Sequence, residues 1–195
     1  MLTIERTYDS AMAISVLTAD DVAVYRRIRL EALQTDPDAF GSSYEREAAF
    51  PDDEWRTRIT SFVDGRPGCV FLDSLAIDST LAEPVAVGGI GTTADPEVAV
   101  IWGMWVSPKA RRRGAARRVL DAAVAWAVER GLTELTLDVV RTNPGALALY
   151  ESFGFVIDEE VDRRDRADDD PCRNEHSMRL TIGEDRLHPM RFRPS

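Results

Sequence analysis

The sequence predicts an α+β domain built on one mixed β-sheet, and three observations carry that expectation. First, the apolar stretches Cys69 to Ile77, Val85 to Thr92 and Glu97 to Val106 follow one another with only short turns between them, the arrangement of antiparallel strands. Second, the last of them is apolar on both faces. Val98, Val100, Trp102, Met104 and Val106 fall on one side, and Ala99, Ile101, Gly103 and Trp105 on the other. A strand of that kind is central and covered on both sides. Third, this strand leads through a short basic turn into a long helix and then into Thr133 to Val140, a βαβ crossover whose two strands run parallel.

Taken in order, Met1 to Ser10 is a mixed lead-in and Ala13 to Leu17 a first strand. Thr18 and Asp21 form a capping box for a helix whose apolar face is Val24, Tyr25, Ile28, Ala32 and Leu33. Asp36-Pro37 stops it. A polar connector, Phe40 to Ala49, reaches Pro51-Asp52-Asp53-Glu54, which opens a second helix running to about Phe62. Asp64 to Gly68 is a turn. Glu83-Pro84 opens the Gly-rich strand with Gly88, Gly89 and Gly91, and Asp95-Pro96 turns it into the central strand. Gly103 inside that strand marks a bulge or a close backbone approach. The long helix presents Ala116, Val119, Leu120, Ala123, Ala127 and Val128 on one face and ends at Gly131. In the next strand Leu135, Leu137 and Val139 alternate inward. Asn143 caps, and Pro144 opens, a short helix with Ala146, Leu147 and Tyr150 that ends at Gly154. Phe155 to Ile157 and Glu175 to Ile182 are the last two strands and pair with each other. Glu159 to Arg173 is an exposed charged loop. This gives one domain, 1–182, and an unassigned C-terminal tail, 183–195.

Composition removes several function classes. The chain has 195 residues, 44% hydrophobic and 30% charged, and a formal net charge of -10. That charge argues against general nucleic-acid binding. Two cysteines, Cys69 and Cys172, and two histidines, His176 and His188, stand without metal-ligand spacing, so no metal is expected. No apolar run approaches the roughly 20 residues of a membrane span, and no basic-then-apolar leader opens the chain. The expectation is a cytoplasmic protein with no membrane partner.

Against this acidic background the turn Ser107-Pro108-Lys109-Ala110-Arg111-Arg112-Arg113-Gly114-Ala115-Ala116 stands out. It joins a strand end to a helix start. A helix N-terminus offers unpaired N–H groups and the positive end of the dipole, and small residues let a phosphate come close. The arginines and Lys109 add charge for phosphate oxygens. The turn therefore reads as a pyrophosphate site formed by Arg111, Arg112, Arg113, Gly114, Ala115 and Ala116.

The same turn resembles the acetyl-CoA signature of the GNAT acyltransferases: Gln or Arg, two variable residues, Gly, one variable residue, then Gly or Ala. Asn143-Pro144-Gly145-Ala146-Leu147-Ala148-Leu149-Tyr150-Glu151-Ser152-Phe153-Gly154-Phe155 resembles the family's later Asn-x-x-Ala-x-x-Leu-Tyr-x-x-x-Gly-Phe segment. Arg29 to Leu33, Pro37 and Ala39-Phe40-Gly41 are similar to many bacterial members. The resemblance covers about Ala13 to Ile182. It implies the GNAT acyl-CoA N-acyltransferase fold, αβα-layered, with a mixed central sheet of about six to seven strands and helices on both faces. It also implies acetyl-CoA as co-substrate, and an acceptor that is a small-molecule amine or a protein amino group. A homodimer is a fair expectation from the family.

The resemblance assigns roles as well. Backbone groups of Met104, Trp105 and Val106 would meet the pantetheine arm and acetyl oxygen, Asn143 would contact the cofactor, and Tyr150 would donate a proton to the departing thiolate. The general base is open. Some members carry a Glu six residues before the position of Val106, where this chain has Val100. Glu97 at the strand's mouth, and Glu45 or Glu47 in the connector, are the candidates, with bulk water as the remaining route. Two other functions compete with an N-acetyltransferase: an acyl-CoA-binding sensor or scaffold without turnover, suggested by Val100, and a nucleotide-binding regulator, which the absence of a Walker Lys and of Rossmann glycines disfavours.

Overall fold

The computed structural model describes residues 12–60, 65–75, 83–161 and 174–183. The readings made for 1–10, for most of the charged loop after Val161 and for the tail beyond Gly183 lie outside these residues. Seven strands form one mixed sheet in the order β1-β2-β3-β4-β5-β7-β6. They are β1 (Met12–Val16), β2 (Gly68–Leu75), β3 (Glu83–Thr92), β4 (Val98–Val106), β5 (Glu134–Val140), β6 (Val156–Ile157) and β7 (Glu175–Thr181). The helices are α1 (Val22–Thr35), α2 (Tyr44–Ala48), α3 (Asp52–Thr60), α4 (Ala115–Glu129) and α5 (Pro144–Phe153). By its internal contacts the chain divides into two compact units. One holds the residues up to Gly91 together with Ile101–Ala123; the other holds Thr92–Val100 together with the residues from Val124 onward.

In the first unit β1 pairs antiparallel with β2, and β2 with β3 from Gly68↔Gly91 to Leu75↔Glu83, with a register shift between Asp73 and Ser74. The Thr18–Asp21 capping box is present. Thr18 N–H and its hydroxyl both donate to Asp21 Oδ2 at 2.8 Å, and the box starts a 3-10 turn that runs directly into α1. Tyr25, Ile28, Ala32 and Leu33 of α1 are buried, as their spacing predicts. With Leu17, Trp55, Ile59, Val70, Leu72, Val87 and Trp105, most of them make the core of this unit. Gly88 and Gly89 of β3 leave room for large neighbours on β4: a Cβ on Gly88 would strike Met104, and one on Gly89 would strike the Trp102 ring.

The connector Phe40 to Ala49 is more ordered than its polarity suggests. Tyr44–Ala48 forms α2, with Ser43 Oγ accepting from Arg46 N–H at 3.3 Å as its N-cap. The run Glu-Arg-Glu-Ala is made of good helix formers, and Ser43 supplies the start signal. On α4 the buried stripe is Ala115, Val119, Leu120, Ala123, Trp126 and Ala127. Ala116 and Val128, expected on that face, are half-buried. The observed stripe follows the 3.6-residue period from Ala115, which rotates it to admit Trp126. A Schellman motif ends the helix: Leu132 N–H donates to Ala127 O and Gly131 N–H to Val128 O, both at 3.1 Å.

In the second unit the opening residues of β4 pair parallel with β5, Val98↔Glu134 through Val100↔Thr136. β5 pairs antiparallel with β7 along its length, and β6 adds to the other edge of β7. Leu135, Leu137, Val139, Phe155, Met178 and Leu180 are buried here. Asn143 Oδ1 accepts from Ala146 N–H at 3.1 Å, with Pro144 at the first helical position of α5, as the sequence predicts.

Candidate functional site

The basic turn begins where β4 ends. Ser107 is buried and its N–H donates to Val85 O at 2.8 Å; Ala110 N–H then donates to Ser107 O at 2.8 Å, closing a 3-10 turn over Pro108–Ala110. Arg111 to Gly114 are exposed. Arg112 (φ +65°) and Gly114 (φ +77°) are both left-handed, and this conformation swings the chain into α4. The first intrahelical bond runs from Arg118 N–H to Gly114 O at 3.0 Å. The amides of Ala115, Ala116 and Arg117 precede it and lie in the first turn, at the positive end of the helix dipole. A Cβ at position 114 would come within 3.2 Å of Arg118 Nη1, so the crest of the turn fits glycine on two counts.

The arginines divide their work. Arg112 and Arg113 are exposed, but Arg111 folds back: its Nε donates to Val106 O at 3.1 Å and its Nη2 pairs with Asp36. Asp36 Oδ2 also accepts from Trp105 Nε1 at 2.7 Å. The side chains of Arg111 and Trp105 therefore tie the end of β4 to the residue that follows α1. Sequence reasoning missed the brace beneath the turn. Arg118 Nε and Nη2 meet the two carboxylate oxygens of Asp73 at 3.0 and 2.7 Å, and its Nη1 donates to the Arg113 carbonyl at 3.0 Å. Asp73 is fully buried. A lone carboxylate between Leu72 and Leu75 in an apolar strand was the available signal, because a buried charge requires a partner.

On β4, Gly103 is left-handed (φ +64°) and half-buried, which fits the expected irregularity of the strand. Arg29 of α1 lies beside it. Arg29 Nε and Nη2 donate to Glu47 Oε2 and Oε1 at 2.9 and 2.7 Å, its Cζ sits 4.4 Å from the centre of the Phe40 ring, and Arg58 Nη1 is 3.8 Å from Glu47 Oε1. Burial alone would raise the Glu47 pKa. The Arg29 hydrogen bonds and charge outweigh it and hold the carboxyl below its ordinary value. Glu47 was a candidate base; in the structure Arg29 engages both of its oxygens, and the lowered pKa makes it a weaker proton acceptor. Glu45, two residues earlier on α2 and so on its opposite side, is exposed.

In the second unit Tyr150 is buried and packs edge-on against Phe155, with ring centres 5.9 Å apart. Burial pushes its phenol up to about 12. Asn143 is exposed at the start of the same helix. Glu97 is exposed at the mouth of β4, where its carbonyl accepts from Thr133 and Glu134 N–H and its carboxylate accepts from the Thr133 hydroxyl at 3.4 Å. Val100 stands half-buried where some GNAT sequences carry glutamate. Among the described residues no group of three or more His, Cys, Asp or Glu side chains could hold a metal ion, and no helix is long and apolar enough to cross a membrane.

Comparison with known proteins points to one family and one fold. Against the curated [ribosomal protein bS18]-alanine N-acetyltransferase of Salmonella typhimurium the chain is 39% identical over 57 residues, which is 29% of this chain and 38% of that relative. The Escherichia coli K12 protein of the same name is 37% identical over 57 residues, with the same coverage. The alignment thus spans well under half the length of these relatives. Among solved structures, a GNAT-family acetyltransferase from Streptococcus pneumoniae superposes with a TM-score of 0.64 at 16% identity, covering 88% of this chain and 99% of that one. The paia N-acetyltransferase of Thermoplasma acidophilum, solved with coenzyme A, gives 0.59 at 14% identity over 88% and 99%. At such identities the likeness is one of fold. The sequence model of the Acetyltransferase (GNAT) family matches residues 29–155, from Arg29 on α1 through the basic turn to Phe155, and the chain is a member of that family of acyltransferases.

Proposed function

We propose that this protein moves the acetyl group of acetyl-CoA onto a primary amine by direct attack. The observation that carries the reading is the turn at the start of α4. The left-handed Arg112 and Gly114 carry the chain over an exposed crest, Arg111–Gly114, into the first turn of α4, and Arg118 bonded to Asp73 holds that crest from beneath. In this reading the amides of Arg111 to Ala116 take the pyrophosphate, with Arg112 and Arg113 adding charge. Backbone groups of Met104, Trp105 and Val106 receive the pantetheine arm and the acetyl oxygen. Asn143 touches the cofactor while capping α5.

The neutral amine nitrogen bonds to the thioester carbonyl carbon, the C–S bond breaks and the sulfur leaves with the electron pair; the proton that the nitrogen sheds passes into water, and solvent restores the one that Tyr150 gives to sulfur. Tyr150 acts on the sulfur. With its phenol near 12 it stays protonated at every working pH. It assists by donating a hydrogen bond, and then its proton, to a thiolate made more basic by the same loss of water. For the proton leaving the amine, Glu45 through a water and Glu97 are the candidates; both carboxylates are exposed, and Glu97 accepts from the Thr133 hydroxyl at 3.4 Å.

The test is release of CoA on mixing the protein with acetyl-CoA and a panel of amines. Tyr150→Phe is expected to lower kcat about 10²-fold while leaving CoA affinity nearly unchanged. Undiminished turnover would remove Tyr150 from the mechanism. Tight CoA binding with no transfer to any amine would favour the sensor or scaffold reading, and calorimetry showing no CoA binding would end both.

A further inference from the structure

Arg29 has one corner left over. Its side chain is 9% exposed; Nε and Nη2 are taken by Glu47, and Nη1 is buried with no hydrogen-bond partner. A buried cationic donor without an acceptor is rare in a native fold, because it has given up water and received nothing in exchange. Nη1 is directed at β4. A Cβ built on Gly103 would lie 3.8 Å from it, with no other non-neighbouring atom within 4 Å. Without a side chain, the left-handed glycine leaves room for about one further atom in contact with the guanidinium. Around it the donors outnumber the acceptors. Arg58 joins the one carboxylate, Glu47, while Tyr25 Oη, one turn earlier on α1, is buried and also lacks a partner.

We propose that Arg29 Nη1 recognises the acceptor, which carries an acyl oxygen, either carboxylate or amide carbonyl, on the carbon next to the one bearing the amine. The inference rests on the acetyltransferase reading above. In that reading the cofactor runs from the basic turn up β4 past Val106 to Met104, so Gly103 is the next residue beyond the acetyl group, on the acceptor's side. An amine poised at the acetyl carbon would bring such an oxygen into the space beside Gly103 and complete the guanidinium's bonding. Polyamines and simple alkylamines have no such oxygen, and a second ammonium would face the net positive charge of Arg29, Glu47 and Arg58. Arg29 is thereby a specificity-determining residue.

The test measures binding by calorimetry to the CoA-loaded protein, with alanine, alaninamide, isopropylamine and 1,3-diaminopropane, and then acetyl transfer to each. Alanine or alaninamide should bind at least tenfold more tightly than isopropylamine. A preference for alanine identifies a free carboxylate as the natural partner, and a preference for alaninamide identifies a peptide carbonyl. Arg29→Lys, which retains the charge but not the fork, should raise KM for the preferred compound about tenfold with kcat and CoA affinity little changed. Equal binding of all four amines, or tighter binding of the diamine, would overturn the proposal without need of any variant. Discrimination without acetyl transfer would leave Arg29's role standing and sink the transferase reading; transfer without discrimination would do the reverse.

Discussion

Among the described residues two fully buried carboxylates, Asp73 and Glu47, are each clamped by an arginine fork, and the two pairs look alike but behave differently. Arg118 engages Asp73 through Nε and Nη2 and gives Nη1 to the Arg113 carbonyl, so every nitrogen has an acceptor. Arg29 engages Glu47 through the same two nitrogens and leaves Nη1 empty. The first pair is complete within the protein, and its product is geometry: it fixes the backbone of an exposed turn. The second is incomplete until something else arrives. In both the fork holds the guanidinium still, and the third nitrogen decides whether the residue braces the fold or waits for a ligand.

The comparison can be broken most forcefully at Arg118. Arg118→Met leaves Asp73 buried and unpaired, and urea unfolding should show a loss of about 3–5 kcal/mol. Replacing both partners, Arg118→Met with Asp73→Leu, should recover most of that stability, because no charge is then stranded. The Arg113 carbonyl would still be unheld, so CoA affinity should stay about tenfold weaker, the size of a lost charge-assisted hydrogen bond. A double variant that binds CoA normally would show that the brace serves folding alone.

A smaller effect is expected at the other pair. Glu47→Gln retains an acceptor for Arg29 but removes the charge, for about 2 kcal/mol at neutral pH. The pH dependence gives the sharper signature. The Glu47 carboxyl is held below its ordinary value of 4.5, so in that window the folded protein binds fewer protons than the unfolded chain. Its contribution is complete above about pH 4.5 and falls away as pH drops through the folded value. Urea midpoints measured from pH 6 downward should therefore decline more steeply for the native protein than for the Gln variant. The smallest change is Gly114→Ala. It forces a side chain into φ +77° and toward Arg118 Nη1 at 3.2 Å. A loss of about 1–2 kcal/mol is expected in thermal unfolding, together with weaker CoA binding.

Much of the scaffold was legible because its signals are local. The Thr18–Asp21 box, the Asn143-Pro144 start and the Gly131 stop depend on neighbours within four residues, and each appears where the sequence puts it. The seven strands were legible from alternation and turn residues, and the parallel pair from the crossover between them. The site was harder to read. Arg111 looked like one of three equivalent phosphate ligands, and its bonds to the Val106 carbonyl and to Asp36, 75 residues away in sequence, set it apart. Glu47 looked as available as Glu45, and its pairing with Arg29 across 18 residues makes it a weaker proton acceptor. The sequence shows which residues are charged, but which of them meet depends on how α1, α2 and β2 are packed.

The order β5-β7-β6 has its own consequence for biogenesis. β7 is the last described strand to be synthesised, yet it lies between two strands made before it, and its register with β5 runs the full length from Glu134↔Thr181 to Val140↔Glu175. Until residues 175–181 have emerged from the ribosome, the backbone N–H and C=O groups of Glu134–Val140 that β7 will pair with offer an edge to any other extended chain. Nascent chains stalled before that point should therefore be the species on which chaperones act.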